Sequence, residues 1–231
     1  MTVRKLSIRL FDSDQQISCI EIAPEKYRLA VIQDSLRTKT SRIGKQSGAV
    51  AAINGGFFKT RTKQAVAMGF IKTGGYRPAQ IGAEIGVAVD TAGVLRLIDW
   101  SLAMEQADAP HRDRYPDVMV TGPMLLRGGR SLIPWDSTAP RHPRSCVGTK
   151  ADGTVLLMVV DGRQSRAAGM ALCELAYAAR LMGAADAINL DGGGSSTLWT
   201  KGQGIVNAPS DRMLFFRSER PVCNAIVVKR K

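Results

Sequence analysis

The sequence predicts an α+β protein, a mixed β-sheet with few helices folded as a single compact domain over residues 1–231. Three observations carry that expectation. Short apolar runs separated by glycine-bearing turns recur along the chain, as a series of hairpins requires. One run, Leu156-Leu157-Met158-Val159-Val160, has no polar alternation, so both of its faces must be covered and the strand is central. Against these strands stands one long helical stripe, Met170 to Met182, with apolar residues at Leu172, Leu175, Ala176, Ala179 and Met182.

In chain order, Ile17 to Ile22 alternates and reads as a strand, and Tyr27 to Gln33 as a second, with Pro24 in the turn between them. Thr38 to Ser47 is short, polar and basic and reads as a helix closed by Gly48. Ala49 to Ile53 is a buried strand running into Asn54-Gly55-Gly56. A meander follows: Met68 to Ile71, a turn at Gly74-Gly75, Ile85 to Val89, a turn at Thr91-Ala92-Gly93, and Val94 to Ile98. Ser101 to Pro116 is polar with two prolines and is expected to be a surface excursion, with His111 a solvated residue on it. Val118-Met119-Val120 is a strand broken by the rigid turn Thr121-Gly122-Pro123 before Leu126, and 127–143 reads as a loop. Ser145 to Gly148 and Thr154 to Val160 form a hairpin about Asp152-Gly153. The helix that follows stops at Gly183, and Glu174 near its start suits the helix dipole. Asp186 to Leu190, Gly202 to Val206 and Val222 to Lys229 are the last strands. Strand, helix and strand over 154–190 fit one right-handed parallel crossover.

A chain of 231 residues, 45% hydrophobic and 23% charged, can bury a full core. No apolar run approaches the roughly 20 residues of a membrane span, and the first residues show no leader peptide. Lysine and arginine number 32 against 20 acids, a net charge of +12; residues 1–80 carry 14 basic and 5 acidic side chains. Such a field favours anionic partners, a phosphorylated sugar, an anionic glycan, nucleic acid or a membrane surface, although a solvated basic surface has the same composition. No aromatic-rich platform or helix-turn-helix pattern accompanies it, which argues against nucleic acid. Cys19, Cys146, Cys173 and Cys223 contain no CxxC pair for zinc. They are expected to be buried free thiols, with a Cys19–Cys223 disulfide as the alternative.

The chemistry concentrates at Ala187 to Trp199. A short apolar run ends in Asp191, followed by Gly192, Gly193 and Gly194 and by the hydroxyls of Ser195 and Ser196. Three residues without Cβ let backbone N–H groups approach an anion or a sugar; a plain linker would not carry a carboxylate and two serines. Two other buried strands also end in a polar residue and glycine, at Asn54-Gly55 and at Asp161-Gly162-Arg163. Asn54 can donate and accept, though Asn-Gly is equally a hairpin turn. If the three strands finish on one sheet edge, the site gathers two carboxylates, an amide, two hydroxyls, Arg163 and Arg144, with His142 beside them. Arginine's planar fork matches phosphate, and paired carboxylates serve glycoside hydrolysis. Asp161 and Asp191 could instead hold a divalent cation for phosphoester hydrolysis, although no third ligand lies near either in sequence. Ser195 as a hydrolase nucleophile is rejected, since Gly193 to Thr197 lacks the closing glycine of the nucleophile elbow.

AAINGGFF (51–58), TGPMLL (121–126), HPRSCVG (142–148), VVDGR (159–163), AINLDGGGSSTL (187–198), VNAPSD (206–211) and ERPVCNAIVV (219–228) together resemble the phosphodiester glycosidase domain family. That family includes the mannose 6-phosphate uncovering enzyme and bacterial exopolysaccharide-associated proteins. The resemblance implies hydrolysis of an α-linked sugar 1-phosphodiester, with no cofactor required, in a periplasmic or secreted setting. It places Asp191, Asp161 and Asn54 in catalytic roles. Arg144, Arg163, Gly55, Gly192, Gly193, Gly194, Ser195, Ser196, His142 and Thr121 become the substrate contacts. In this reading the guanidinium groups and the N–H groups of Gly192 to Gly194 take the phosphate, Asp191 acts at the anomeric carbon, and Asp161 positions the sugar or pairs with an arginine. The chain departs from the family pattern at Ser145-Cys146. A non-catalytic binder of anionic glycan is the second reading and a cell-envelope scaffold the third.

Overall fold

A computed structural model describes residues 1–60, 65–74, 85–99, 115–213 and 216–231. Its architecture follows from period-two burial. In β12 (Val155–Val160) every residue is buried. Val155, Leu157 and Val159 enter one apolar cluster, and Leu156, Met158 and Val160 enter another on the opposite face.

Around β12 lie β1 (Thr2–Leu10), β2 (Ser13–Ile22), β9 (Met124–Arg127), β10 (Arg130–Ser131), β11 (Arg144–Thr149) and β13 (Asp186–Asn189). They form a seven-stranded sheet in the order β1-β2-β12-β11-β13-β9-β10, antiparallel throughout. A second sheet runs β15 (Gly204–Ile205), β14 (Leu198–Thr200), β4 (Ala51–Asn54), β18 (Pro221–Arg230) and β3 (Tyr27–Lys39). A third runs β5 (Ile71–Lys72), β8 (Asp117–Val120), β6 (Ile85–Val89) and β7 (Leu95–Asp99). β16 (Asp211–Met213) and β17 (Phe216–Ser218) make a hairpin.

The largest cluster joins Ile20, Val147, Leu157 and Ile188 of the first sheet to Ile53, Leu198 and Ile226 of the second and Val87 and Met119 of the third. The far face of the first sheet is covered by α2 (Leu172–Leu181) through Leu175, Ala176 and Ala179. Ile43 of α1 (Thr40–Gln46) covers the far face of the second. The layers therefore run helix, sheet, sheet, helix, which is the predicted α+β class.

Several expectations change in detail. β1 has no predicted counterpart: Leu6-Ser7-Ile8-Arg9-Leu10 alternates, but every residue of the strand is exposed or only half-buried, and Arg4 and Lys5 interrupt the pattern ahead of it. β3 continues to Lys39, past the expected end at Gln33, which moves the start of α1 to Thr40. β10 interrupts the loop expected over 127–143. The crossover over 154–190 is corrected as well. β11 lies between β12 and β13 and pairs antiparallel with both, so those two are parallel but not adjacent. The hairpin partner that precedes β12 in the chain occupies the place beside it. Gly75 of the expected turn, and residues 101–114 of the excursion expected over Ser101 to Pro116, His111 included, lie outside the described residues.

All four cysteines are free and buried, which removes the Cys19–Cys223 disulfide. Cys19 belongs to the first sheet and its helix-covered cluster, and Cys223 to the second sheet and a different cluster. Burial pushes the Cys19 thiol up to about 12 and Cys223 to about 11, so neither is a thiolate at neutral pH.

Glu174 does more than face a helix dipole. It accepts the Ala171 N–H at 2.9 Å at the start of α2 and receives Arg141, which also donates to Phe11 O and Ser13 Oγ. Glu174→Ala would strand both donors of this buried carboxylate. It is expected to cost about 2–3 kcal/mol, read as a lowered melting temperature. An unchanged melt would show that the 140s loop is anchored elsewhere.

Candidate active site

The three strand ends meet. β12 and β13 finish on either side of the start of β11, where Arg144 pairs with Val160 and Cys146 with Asn189. Beyond them, Asp161 N–H donates to Gln16 O at 2.9 Å and Leu190 N–H to Ser145 O at 2.8 Å. β4 arrives from the second sheet. Asp191 N–H donates to Gly55 O at 2.9 Å, and Asn54 Nδ2 donates to Asp191 O at 2.6 Å. The seam between two sheets thus carries the loop that begins at Asp191.

The predicted residues divide into a buried support and an open rim. Asn54 is fully buried, and its Oδ1 accepts Ser145 Oγ at 2.8 Å and Thr197 N–H at 3.1 Å. Its amide is thus occupied on both atoms by protein partners. Gly55 is buried as well. Asn224 Oδ1, which accepts the Gly56 N–H at 2.6 Å, stands where a Cβ on Gly55 would go. Thr121 Oγ1 donates to Asn189 O at 3.0 Å, beneath the end of β13. Ser195 and Ser196 are sealed from solvent; Ser195 lies beside the Asp191 carboxylate and Ser196 O accepts Asn207 Nδ2 at 3.1 Å. Gly55 and Thr121 are thus held within the protein, whereas the buried hydroxyls of Ser195 and Ser196 have no hydrogen-bond partner among the described residues. Strands that end in glycine loops leave backbone groups that buried polar side chains must satisfy.

Asp161 is also buried. Its Oδ1 accepts Asn207 Nδ2 at 2.9 Å and Ala208 N–H at 3.0 Å. It holds the 207–210 loop, and none of its hydrogen-bonding partners among the described residues is an arginine. Burial raises its pKa, opposed by those two donors and by the fields of Lys5 and Arg217.

On the rim, Asp191, Gly192, Gly193, Arg144 and His142 are half-buried and Arg163 is exposed. Burial raises the Asp191 pKa against the Ser195 hydroxyl, the Arg220 guanidinium and the Gly192 N–H. Arg163 has φ +59°, a left-handed backbone that a side chain adopts only at a cost and that marks functional loops. Its Nη2 lies 3.4 Å from His142 Nδ1, and a Cβ on Gly193 would be 3.3 Å from the same nitrogen, so the guanidinium rests against bare backbone. Arg144 Nε donates to Met170 O at 2.9 Å. Burial, then Arg144 and Arg163, lower the His142 pKa, so its imidazole is neutral at pH 7. Burial and Arg163 lower the Arg144 pKa in turn.

One of the three glycine amides is not free for a phosphate: Gly193 N–H donates to Pro143 O at 2.8 Å. The tight turn at Gly193–Ser195 is closed by the N–H groups of Ser195 and Ser196, which donate to Gly192 O and Gly193 O at 3.2 Å. Sequence reasoning missed the wall opposite. Arg220 Nη2 donates to Asp211 Oδ1 at 2.9 Å, both against Gly194, and Ser210 Oγ donates to Gly193 O at 3.3 Å. Arg163, Ser210, Asp211 and Arg217 line a cleft of about 350 Å³. The blocks at 206–211 and 219–228 were visible as motifs, but their residues had no assigned place. Among the described residues no three His, Cys, Asp or Glu side chains are grouped to hold a metal ion.

The family model described as phosphodiester glycosidase matches residues 47–229. N-acetylglucosamine-1-phosphodiester alpha-N-acetylglucosaminidase of Bos taurus is 27% identical over 195 residues, 76% of this chain and 35% of its own length. The SPbeta prophage-derived protein YomE of Bacillus subtilis is 36% identical over 76 residues, 33% of this chain and 12% of its own. The chain thus spans about a third or less of these curated relatives. Among solved structures, the catalytic domain of the zebrafish N-acetylglucosamine-1-phosphodiester alpha-N-acetylglucosaminidase, auto-inhibited by its pro-peptide, superposes with TM-score 0.75 at 21% identity. That match covers 100% of this chain and 82% of that one. A Burkholderia pseudomallei protein described as exported gives TM-score 0.72 at 16% identity, over 94% of this chain and 74% of that one. No helix among the described residues is long and apolar enough to cross a membrane. With the family model matched over most of its length and the family's motifs converging on one sheet seam, the chain belongs to the phosphodiester glycosidase family.

Proposed function

We propose that the chain hydrolyses an α-linked sugar 1-phosphodiester, breaking the bond between the anomeric carbon and the bridging oxygen. Water supplies hydroxide to the sugar, its proton is released, and a phosphomonoester stays on the acceptor. The observation that carries the reading is the half-buried carboxylate of Asp191 at the head of a loop whose Gly192 lies against Arg144 and whose Gly193 lies against Arg163. A departing phosphomonoester is weakly basic, so charge stabilisation matters more than a strong general acid. The two guanidinium groups supply it, and their planar forks suit the phosphate oxygens. Asp191 acts at the anomeric carbon as nucleophile or as the base that activates water. Asp161 keeps the 207–210 loop against the site. N-acetylglucosamine, named in the bovine and zebrafish relatives, is the first sugar to try, and the proposed setting is periplasmic or secreted.

The test supplies purified protein with methyl N-acetylglucosaminyl phosphate and identifies the products. Free sugar and methyl phosphate are expected. Sugar 1-phosphate would make the protein a phosphodiesterase. Activity lost to chelator and restored by metal would return Asp161 and Asp191 to a cation. Glycan binding without turnover would make it a binder. Arg163→Gln is expected to lower kcat/KM about 100-fold, with partial recovery in Arg163→Lys.

A further inference from the structure

A second cationic surface lies at the other end of the second sheet. Arg28, Lys201, Lys229 and Arg230, with Gly48 and Val50, line a cleft of about 520 Å³ with no carboxylate in its wall among the described residues. Backbone contacts place it at the start of β4: Lys201 N–H donates to Val50 O at 2.9 Å and Val50 N–H to Val228 O at 2.8 Å. Asn54 is the opposite end of the same strand, so this cleft and the candidate active site sit at opposite ends of β4.

Arg28 and Lys229 face each other directly across β3 and β18. Like charges in that arrangement repel and weaken the pairing. None of the four cations forms an ion pair among the described residues. Two acids, Asp90 and Asp117, line an adjoining cleft of about 280 Å³ that shares Arg28 and Lys229. Both are engaged elsewhere, Asp117 by the N–H groups of Val31 and Gly74 and Asp90 by those of Ala92 and Val94. Lys45, in the last turn of α1, adds positive charge just before Gly48. A concave, unneutralised cluster whose own members repel one another is relieved by a bound anion.

We infer that this cleft holds an anionic glycan, a sugar polymer bearing phosphate, sulfate or carboxylate groups, and docks the chain on its polymer apart from the active site. The inference rests on the proposed function only for the link between the two sites. The lining favours a glycan over the other polyanions. No aromatic side chain is present to stack bases, and the one apolar side chain, Val50, is too small to enter a lipid surface.

Binding of dextran sulfate, with neutral dextran as control, is measured at several salt concentrations. Wild type is expected to bind dextran sulfate alone, more weakly as salt rises. Lys201→Glu/Lys229→Glu should weaken binding at least about tenfold, with unchanged turnover of the small diester. Lys229→Gln, which removes the opposition to Arg28, should weaken binding severalfold without lowering the melting temperature. Arg163→Gln should bind dextran sulfate like wild type. Equal binding by both lysine variants would overturn the inference. So would loss of binding in Arg163→Gln, or cleft-dependent binding of single-stranded DNA or phosphatidylglycerol vesicles in place of dextran sulfate. If wild type turns over no diester, the proposed function fails while these binding results still decide the cleft.

Discussion

Asp191→Asn is expected to reduce kcat/KM for a glycosyl phosphodiester about 10³-fold and to leave the fold at least as stable as wild type. The first effect follows from removing the group that attacks or deprotonates at the anomeric carbon. The second follows from the sign of its pKa shift. Burial raises the folded-state pKa above the ordinary aspartate value of 3.8. Between those two values the folded protein binds more protons than the unfolded chain, so this group's contribution to stability falls as pH rises through the window. At neutral pH the wild-type carboxylate is therefore a buried charge that the amide variant lacks. Melting temperatures at pH 7 should be equal or higher in Asp191→Asn, and any gain should vanish at low pH. The same shift sets the acid limb of wild-type kcat/KM above 3.8, since Asp191 works only when ionised. Unchanged turnover in Asp191→Asn would remove it from the mechanism.

Asn54→Ala is expected to be the most destabilising of these substitutions, at about 4 kcal/mol. It leaves Thr197 N–H and Asp191 O without their buried partner, frees the Ser145 hydroxyl, and opens a small cavity. Set against a total stability of roughly 5–15 kcal/mol, such a loss is plainly visible in urea denaturation. Because Asn54 holds the backbone of Asp191, activity should also fall at temperatures where the variant is still folded, by about tenfold or more. A variant that is destabilised but fully active when folded would separate the fastening of the seam from the aim of the carboxylate.

What was legible in the sequence tracks how local each signal was. β12 and α2 were clear, because a six-residue apolar run and a helical stripe declare burial without reference to the rest of the chain. β1 was hidden, since its half-exposed residues gain their strand character from pairing with β2. At the site, the strand ends at Asn54, Asp161 and Asp191 could be read as polar residues delivered to glycine loops. Their division into rim and support could not. Whether Asn54 faces a ligand or the neighbouring backbone depends on Ser145 and Thr197, which are remote in sequence. Asp211 and Arg220 depend in the same way on lying against Gly194.

The family match begins at residue 47, yet β2 lies along β12, and Gln16 O receives the Asp161 N–H. β3 likewise lies along most of β18. A polypeptide cut to the matched span would bare one flank of each of those two strands, two ladders of vacant donors and acceptors beside buried apolar side chains. Such flanks recruit foreign strands, so the stretch ahead of the recognisable domain also keeps the molecule from sticking to itself.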